Sequence, residues 1–192
     1  MDAFWWSIGV VALGEMGDKT QLLALLLAAR FKRPWTIVGG IAVATLANHA
    51  MAGALGHWVA QLLGAGVLRW VVGLGFLAMA AWMLVPDQIQ ADGAQRTHGL
   101  SVFATTVVAF FLAEMGDKTQ LATVALAARH PDLIAVVLGT TLGLLLANVP
   151  VVFVGDRLLR RVSMPLLHGL AALLFALMGA LALFNVGGVM AL

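Results

Sequence analysis

The chain alternates between long apolar runs and short polar or basic segments. Apolar residues dominate six runs, at 4–29, 35–57, 67–85, 101–129, 132–155 and 165–190. Each run is long enough to supply the roughly 20 apolar residues with which an α-helix crosses the hydrocarbon core of a bilayer. The pattern therefore predicts an all-α integral membrane protein with six transmembrane helices.

Composition agrees with a membrane location and excludes several classes of function. Of the 192 residues, 62% are hydrophobic and only 10% are charged, and no soluble domain needs so large an apolar fraction to bury its core. Six spans leave no room for a soluble domain, which argues against a soluble enzyme or a nucleic-acid-binding protein. The chain has no cysteine, which excludes disulfides and thiolate metal sites.

One motif occurs twice and divides the chain into two related halves. The segment Glu15–Gln21, EMGDKTQ, recurs unchanged as Glu114–Gln120, 99 residues later. The polar stretch 86–100 is predicted to be a linker between a first repeat, 1–85, and a second repeat, 101–192. Each repeat holds three predicted helices. Because three is odd, the second repeat must enter the membrane from the opposite side, so we expect two inverted three-helix repeats, an architecture of transporters.

The second and fifth predicted helices also align, after a gap of one residue. In this alignment Asn48 matches Asn148, and both are candidate oxygen ligands or gates, with interhelical hydrogen bonding as the alternative. His49 is then matched with Val149. A proton relay through His49 is therefore the less favoured interpretation.

Lysines and arginines outside the motif predict the orientation of the helices. Seven fall on one side of the membrane, Arg30, Lys32, Arg33, Arg96, Arg157, Arg160 and Arg161, and two on the other, Arg69 and Arg129. Because basic residues are enriched in cytoplasmic loops, we expect the side with seven to be cytoplasmic and both termini to be extracytoplasmic.

The ionisable residues of the motif lie midway along the first and fourth predicted helices. An ion at the centre of a span costs about 2.5–3.5 kcal/mol to insert, so these groups must pair with one another or face a wet cavity. On a helical wheel Glu15, Asp18 and Lys19 share one face with Gln21. Thr20 projects away from this face and is expected to bond its own helix backbone.

If the two motif helices cross near the bilayer midplane, their side chains form an oxygen-rich site. The candidate cation ligands are Glu15, Asp18, Gln21, Glu114, Asp117 and Gln120. Oxygen ligands suit Mn²⁺, Ca²⁺ and Mg²⁺, whereas Zn²⁺ and Cu⁺ prefer imidazole or sulfur. Four carboxylates and two lysines leave two net negative charges to meet a divalent cation. The structural alternative is two buried ion pairs that lock helices together, which are costly as structural links.

Glycine and lysine complete the motif. Gly17 and Gly116 place no side chain beside the acids, which permits close helix packing, a local break, or exposure of carbonyl oxygens to an ion. Lys19 and Lys118 are hypothesised to replace the cation when the site is empty.

The doubled Glu-x-Gly-Asp-Lys-Thr motif resembles the signature Glu-x-Gly-Asp-(Lys/Arg)-(Thr/Ser) of the Gdt family of Mn²⁺ and Ca²⁺ transporters. The resemblance covers essentially the whole chain, and both copies match every defined position. It implies cation/proton antiport, with Mn²⁺ export in bacterial members. It implies that the ion ligands are Glu15, Asp18, Glu114 and Asp117, and that the motifs are completed by Lys19, Thr20, Lys118 and Thr119. Lacking the N-terminal extension and long central loop of eukaryotic members, the chain is similar to a prokaryotic inner-membrane version.

We therefore expect a secondary transporter that exports Mn²⁺ across a bacterial inner membrane in exchange for protons. Its expected partners are the cation and the lipid bilayer, without nucleic acid or a bound cofactor, and a homo-oligomer is compatible with the sequence. Ca²⁺ is the competing substrate. An intramembrane aspartyl protease using Asp18 and Asp117 is an alternative of another class, although a protease gains nothing from four acids. A passive channel predicts flux that ignores a pH gradient.

Overall fold

The computed structural model describes residues 2–85, 100–155 and 164–184. In these ranges the protein is all-helical and has no strand, as the sequence predicts. The helices are α1 (Asp2–Glu15), α2 (Lys19–Phe31), α3 (Pro34–Leu62), α4 (Ala65–Met83), α5 (Val102–Glu114), α6 (Lys118–Arg129), α7 (Leu133–Val154) and α8 (Met164–Leu183).

Four of these helices are long and apolar enough to cross a membrane. They are α3, α4, α7 and, from Pro165 onwards, α8. The six tryptophans are all exposed and lie towards helix ends: Trp5, Trp6, Trp35, Trp58, Trp70 and Trp82. Tryptophans with this placement are typical of the two interfaces of a membrane.

The first and fourth apolar runs are each interrupted, which corrects the prediction of continuous helices. A break of three residues separates α1 from α2, and an equivalent break separates α5 from α6. In the breaks Gly17 has φ 84° and Gly116 has φ 76°, in the left-handed region that glycine adopts far more readily than other residues. The helical-wheel arrangement of Glu15, Asp18 and Lys19 is therefore wrong, because no continuous helix joins them.

Packing between the two halves holds these interrupted helices in place. Helix α1 packs along α7 and α5 packs along α3, while α3 contacts α7 and α4 contacts α8. Apolar side chains fill the α4–α8 contact, where the rings of Phe76 and Phe175 lie 6.1 Å apart. A Cβ on Gly14 would lie 3.4 Å from Met83 and 3.7 Å from Phe175. This part of the core therefore packs against Gly14, the residue before the glutamate that ends α1.

The burial pattern relates α3 to α7 with a constant separation of 99 residues. The buried positions of α3 include Ile37, Gly40, Ile41, Ala44, Thr45, Asn48, His49, Ala52 and Gly53, and each has a buried counterpart in α7, namely Val136, Gly139, Thr140, Gly143, Leu144, Ala147, Asn148, Val151 and Val152. A shift of one residue would rotate every later side chain by about 100° and move it off the buried face.

Contacts of glycines in α3 and α7 give the same register. Gly40 packs against Phe103 and Thr106, and Gly139 packs against Phe4 and Ser7. Gly40 and Gly139, Phe4 and Phe103, and Ser7 and Thr106 are each 99 residues apart. The one-residue gap in the sequence alignment is therefore wrong, because both helices run unbroken through this region. Asn48 matches Ala147, and His49 matches Asn148.

Several residues used to predict the orientation lie outside the described ranges. They are Arg96, Arg157, Arg160 and Arg161. Most of the predicted linker, 86–99, also lies outside them. The orientation of the termini therefore stays a prediction.

Replacing Gly116 by alanine is expected to destabilise the protein through its backbone alone. The position of the new Cβ is open, with nothing within 4 Å, but a left-handed backbone costs an L residue about 1–2 kcal/mol. Gly75→Ala is the matched control, because its Cβ position is equally open and its backbone is helical, where alanine is favoured. Thermal unfolding in detergent micelles measures both variants. A Gly116→Ala protein as stable as the wild type would contradict the requirement for glycine at the break.

Candidate metal centre

Each break places a glutamate at the end of one helix and an aspartate at the start of the next. Glu15 ends α1 and Asp18 is the N-cap of α2, while Glu114 ends α5 and Asp117 is the N-cap of α6. Neither aspartate caps its own helix through its side chain. The C-terminal ends of α1 and α5 add carbonyl groups without helical partners and the negative end of a helix dipole, both of which attract cations.

Carboxylates from the two breaks meet in the interior. One oxygen each from Glu15, Glu114 and Asp117 lies within 4.8 Å of the others, and the three residues are at most 2% exposed. Asp18 is buried too, and is close enough to Glu114 to interact with it electrostatically. The structure thus brings the four predicted carboxylates into one region, three of them in direct reach of a common point.

Threonines of the motif orient the two glutamates. Thr20 Oγ1 donates to Glu15 Oε2 at 2.6 Å, and Thr119 Oγ1 donates to Glu114 Oε2 at 3.1 Å. The expectation that Thr20 points away from the acids is therefore wrong. The break has turned the start of α2 back towards Glu15, so the threonine no longer follows the wheel of a continuous helix.

The second oxygen of each glutamate is left open. Glu15 Oε1 and Glu114 Oε1 are buried and have no hydrogen-bond partner in the described part of the chain. A buried polar atom without a partner costs free energy comparable to that of a lost hydrogen bond. These two atoms are therefore positions at which a cation or a proton is stabilising.

The two lysines of the motif differ in their surroundings. Lys19 Nζ lies 2.7 Å from Asp117 Oδ1, in the opposite half, and its side chain is 27% exposed. Lys118 is buried, at 1% exposure. The Lys19–Asp117 ion pair joins the two breaks directly, and its lysine is the more exposed of the two motif lysines.

The glutamines of the motif close the breaks through their side-chain oxygens. The Gly17 N–H donates to Gln21 Oε1 at 2.9 Å, and the Gly116 N–H donates to Gln120 Oε1 at 2.7 Å. Each of these oxygens accepts a backbone hydrogen bond in this structure, and the expectation that both glutamines are cation ligands stays a prediction.

The glutamine nitrogens link each break to the opposite half. Gln21 Nε2 donates to the Ala147 carbonyl at 2.8 Å, and Gln120 Nε2 donates to Asn48 Oδ1 at 2.7 Å. Asn48 and Ala147 are equivalent positions in the register of 99 residues. Each break is therefore held to the opposite half at an equivalent position. The first break bonds to the backbone of Ala147, and the second bonds to the side chain of Asn48.

Asn48 and Asn148 have different environments, and they do not occupy equivalent positions in the register of 99 residues. Asn48 donates to the Phe111 carbonyl at 3.1 Å and forms the interhelical hydrogen bond with Gln120. Asn148 donates to the carbonyl of Leu144 in its own helix at 3.1 Å. Its Oδ1 is buried and has no partner in the described ranges, and the side chain lies beside Glu15. Only Asn148 therefore has an unengaged oxygen beside the carboxylate cluster.

His49 is a buried histidine in the middle of α3. It is fully buried, and neither ring nitrogen has a hydrogen-bond partner among the described residues. An alignment of the two halves without a gap pairs His49 with Asn148 instead of Val149. That pairing was the signal in the sequence that the position of His49 is polar in both halves.

Comparisons with known proteins agree on one family. The family model described as divalent cation/proton antiporter GDT1 matches residues 3–91 and 102–188. A Vibrio cholerae protein named as a candidate manganese exporter is 49% identical over 173 residues, covering 90% of this chain and 86% of that protein. GDT1-like protein 4 of Oryza sativa subsp. indica is 28% identical over 200 residues, covering 91% and 70%. A GDT1-like protein of Synechocystis is 27% identical over 197 residues, covering 92% and 95%. No solved structure matches the chain.

Proposed function

Because this chain belongs to the GDT1 family of divalent cation/proton antiporters, we propose that it exports Mn²⁺ from the cytoplasm in exchange for protons. The observation that carries the proposal is the buried cluster of Glu15, Glu114 and Asp117, whose oxygens lie within 4.8 Å of one another. Like charges this close in an apolar interior are unfavourable unless a cation or protons neutralise them.

Exchange follows from competition for the same oxygen atoms. A divalent cation binds the carboxylates in their ionised form, with Glu15 Oε1 and Glu114 Oε1 as the open positions. When the cation leaves, protons taken up from the other side of the membrane neutralise the acids in its place. The cluster is thus open to one side of the membrane at a time, and it changes sides only when it is occupied by the cation or by protons, which couples the two fluxes.

The proposed architecture is six spans in two inverted three-helix repeats, 1–85 and 101–192, with the linker 86–100 between them. Helices α1 and α2 together form one interrupted span, and α5 and α6 form its counterpart. Support comes from the packing, since α1 lies on α7 as α5 lies on α3. Interrupted helices that meet at the midplane are a recurring way for secondary transporters to bind ions.

Mn²⁺ is proposed as the substrate on the strength of one relative and the chemistry of the donors. The Vibrio cholerae protein that is 49% identical is named as a candidate manganese exporter. An oxygen cluster also accepts Ca²⁺, so Ca²⁺ is measured alongside. In the same proposal the protein lies in a bacterial inner membrane with both termini extracytoplasmic.

Family membership favours transport over an intramembrane aspartyl protease. Such an enzyme relies on two aspartates that share a proton, whereas Asp117 forms an ion pair with Lys19 at 2.7 Å. The companion glutamates have a role in binding a cation and none in proteolysis. We therefore propose that the protein is not an enzyme.

Neutralising one acid of each break is expected to reduce coupled flux strongly. In proteoliposomes with an imposed pH gradient, Asp18→Asn and Asp117→Asn should each lower Mn²⁺ flux by about tenfold or more, because Asp117 belongs to the carboxylate cluster and Asp18 adds negative charge beside Glu114. Asp132→Asn is the matched control, since Asp132 is exposed at the start of α7, outside the cluster. Flux indifferent to the pH gradient would indicate a channel, and no flux of either Mn²⁺ or Ca²⁺ in the wild type would contradict the proposal.

Lys19→Gln is expected to raise the apparent affinity for Mn²⁺. The lysine holds Asp117 Oδ1 at 2.7 Å, so it competes with the incoming cation for that carboxylate, as the hypothesis of a replacement cation requires. The same substitution leaves Asp117 without its counter-charge and should lower the melting temperature without metal, a loss that Mn²⁺ restores. Lys32→Gln, at an exposed position between α2 and α3, serves as the control. Unchanged Mn²⁺ affinity and unchanged metal-free stability in Lys19→Gln would refute this role.

A further inference from the structure

His49 is a buried polar residue to which the proposed transport cycle has so far given no role. It lies in the middle of α3 at 0% exposure, and neither Nδ1 nor Nε2 has a partner among the described residues. A neutral imidazole carries one N–H donor and one acceptor, and burying both without partners is costly. A residue that served only to fill space would avoid this cost if it were apolar.

The register of the two halves identifies the counterpart of His49. Nine buried positions of α3 match nine of α7 at a separation of 99 residues, and His49 is matched with Asn148. Asn148 lies beside the Glu15 carboxyl. Helices α1 and α7 pack together as α5 and α3 do. Moving each residue of the Asn148–Glu15 pair to its equivalent in the other half therefore gives the pair His49–Glu114.

That corresponding contact is not made in this structure. Among the residues that the structure describes, neither nitrogen of His49 has a hydrogen-bond partner, and neither does the buried Glu114 Oε1. Asn148 lies beside Glu15 without a hydrogen bond between Asn148 Oδ1 or Glu15 Oε1 and any described residue, and the equivalent pair, His49 and Glu114, is likewise unbonded at His49 Nδ1, His49 Nε2 and Glu114 Oε1.

Other pairs of equivalent residues also differ between the halves. Lys19 is partly exposed whereas Lys118 is buried, and Met16 and Gly17 are half-buried whereas Met115 and Gly116 are exposed. The two halves therefore hold different arrangements around the same motif. In a transporter built from inverted repeats, the opposite-facing state is reached when one repeat moves against the other about the fixed site, and the two halves then exchange arrangements.

We propose that His49 donates a hydrogen bond from its ring to Glu114 Oε1 in the opposite-facing state, as the counterpart of the contact between Asn148 and Glu15. This inference rests on the proposed function, because it requires alternation between two states. His49 is then a positioning residue: it stabilises the second state and the orientation of Glu114 in that state. In this account the two ring nitrogens lack hydrogen-bond partners among the described residues here because their partner is available only in the other state.

The test compares two substitutions at His49 with a control one turn away. His49→Leu replaces the imidazole with an apolar side chain of similar size and so removes both nitrogens. His49→Asn introduces the residue found at the matching position. Thr45→Val is the matched control: Thr45 is on the same buried face with an unpaired Oγ1, and its counterpart Leu144 is apolar. Mn²⁺ binding at equilibrium and the rate of Mn²⁺ flux are measured for each in detergent and in proteoliposomes.

The expected result separates binding from transport. His49→Leu should lower the flux by about tenfold or more, the effect of one hydrogen bond to a charged group, while Mn²⁺ binding stays close to wild type because the contact is absent from the present state. His49→Asn should recover most of the flux, and Thr45→Val should keep it.

Two outcomes would overturn the inference. If His49→Leu transports as fast as the wild type, no state uses the contact. If flux and binding fall together in both His49→Leu and His49→Asn, the residue supports folding or the cluster itself. Failure of the proposed function is distinguishable, because it is the wild type that would then move neither Mn²⁺ nor Ca²⁺.

Discussion

The structure depends on the cost of keeping acidic groups close together in an apolar interior. Glu15, Glu114 and Asp117 lie within reach of a common point and are almost completely buried, where ionised groups are strongly disfavoured unless they are paired. Part of the cost is offset by Lys19 and by the hydroxyl groups of the two motif threonines. The rest of the cost lies at Glu15 Oε1 and Glu114 Oε1, which have no hydrogen-bond partner among the described residues. A cation or protons bound at these oxygens would remove it.

The interrupted helices make this arrangement possible. A continuous helix would satisfy its own backbone groups and project the acids at fixed angles, whereas each break turns the chain at a glycine and lets Thr20 and Thr119 reach back to the preceding glutamate. The break is stabilised in turn by a glutamine, which accepts from the glycine N–H and donates to the opposite half. Five of the seven residues of each motif copy thus take part in the ion pair, the side-chain hydrogen bonds or the glycine turn, namely Glu15, Gly17, Lys19, Thr20 and Gln21 in the first and Glu114, Gly116, Asp117, Thr119 and Gln120 in the second. The glutamines and the Lys19–Asp117 ion pair also join the two halves.

The sequence predicted the all-helical class, the duplicated motif and the clustering of its acids, because hydropathy and exact repetition are strong signals. It did not predict that Glu15 and Asp18 belong to different helices, since glycine within an apolar run is compatible with an unbroken span. It also misaligned α3 with α7, because the shared Ala-Asn pair at Asn48 and Asn148 favoured a gap that helical geometry forbids. The correct register follows from which faces are buried, and only packing determines that.

The most direct test of the central claim is to locate the bound ion. Anomalous X-ray diffraction from crystals of the wild-type protein saturated with Mn²⁺ would place the metal without reference to any transport assay. We predict a single strong peak between the two breaks, bonded to Glu15 and Glu114. A protein that binds Mn²⁺ at another position while these two carboxyl groups remain free of metal would contradict the account.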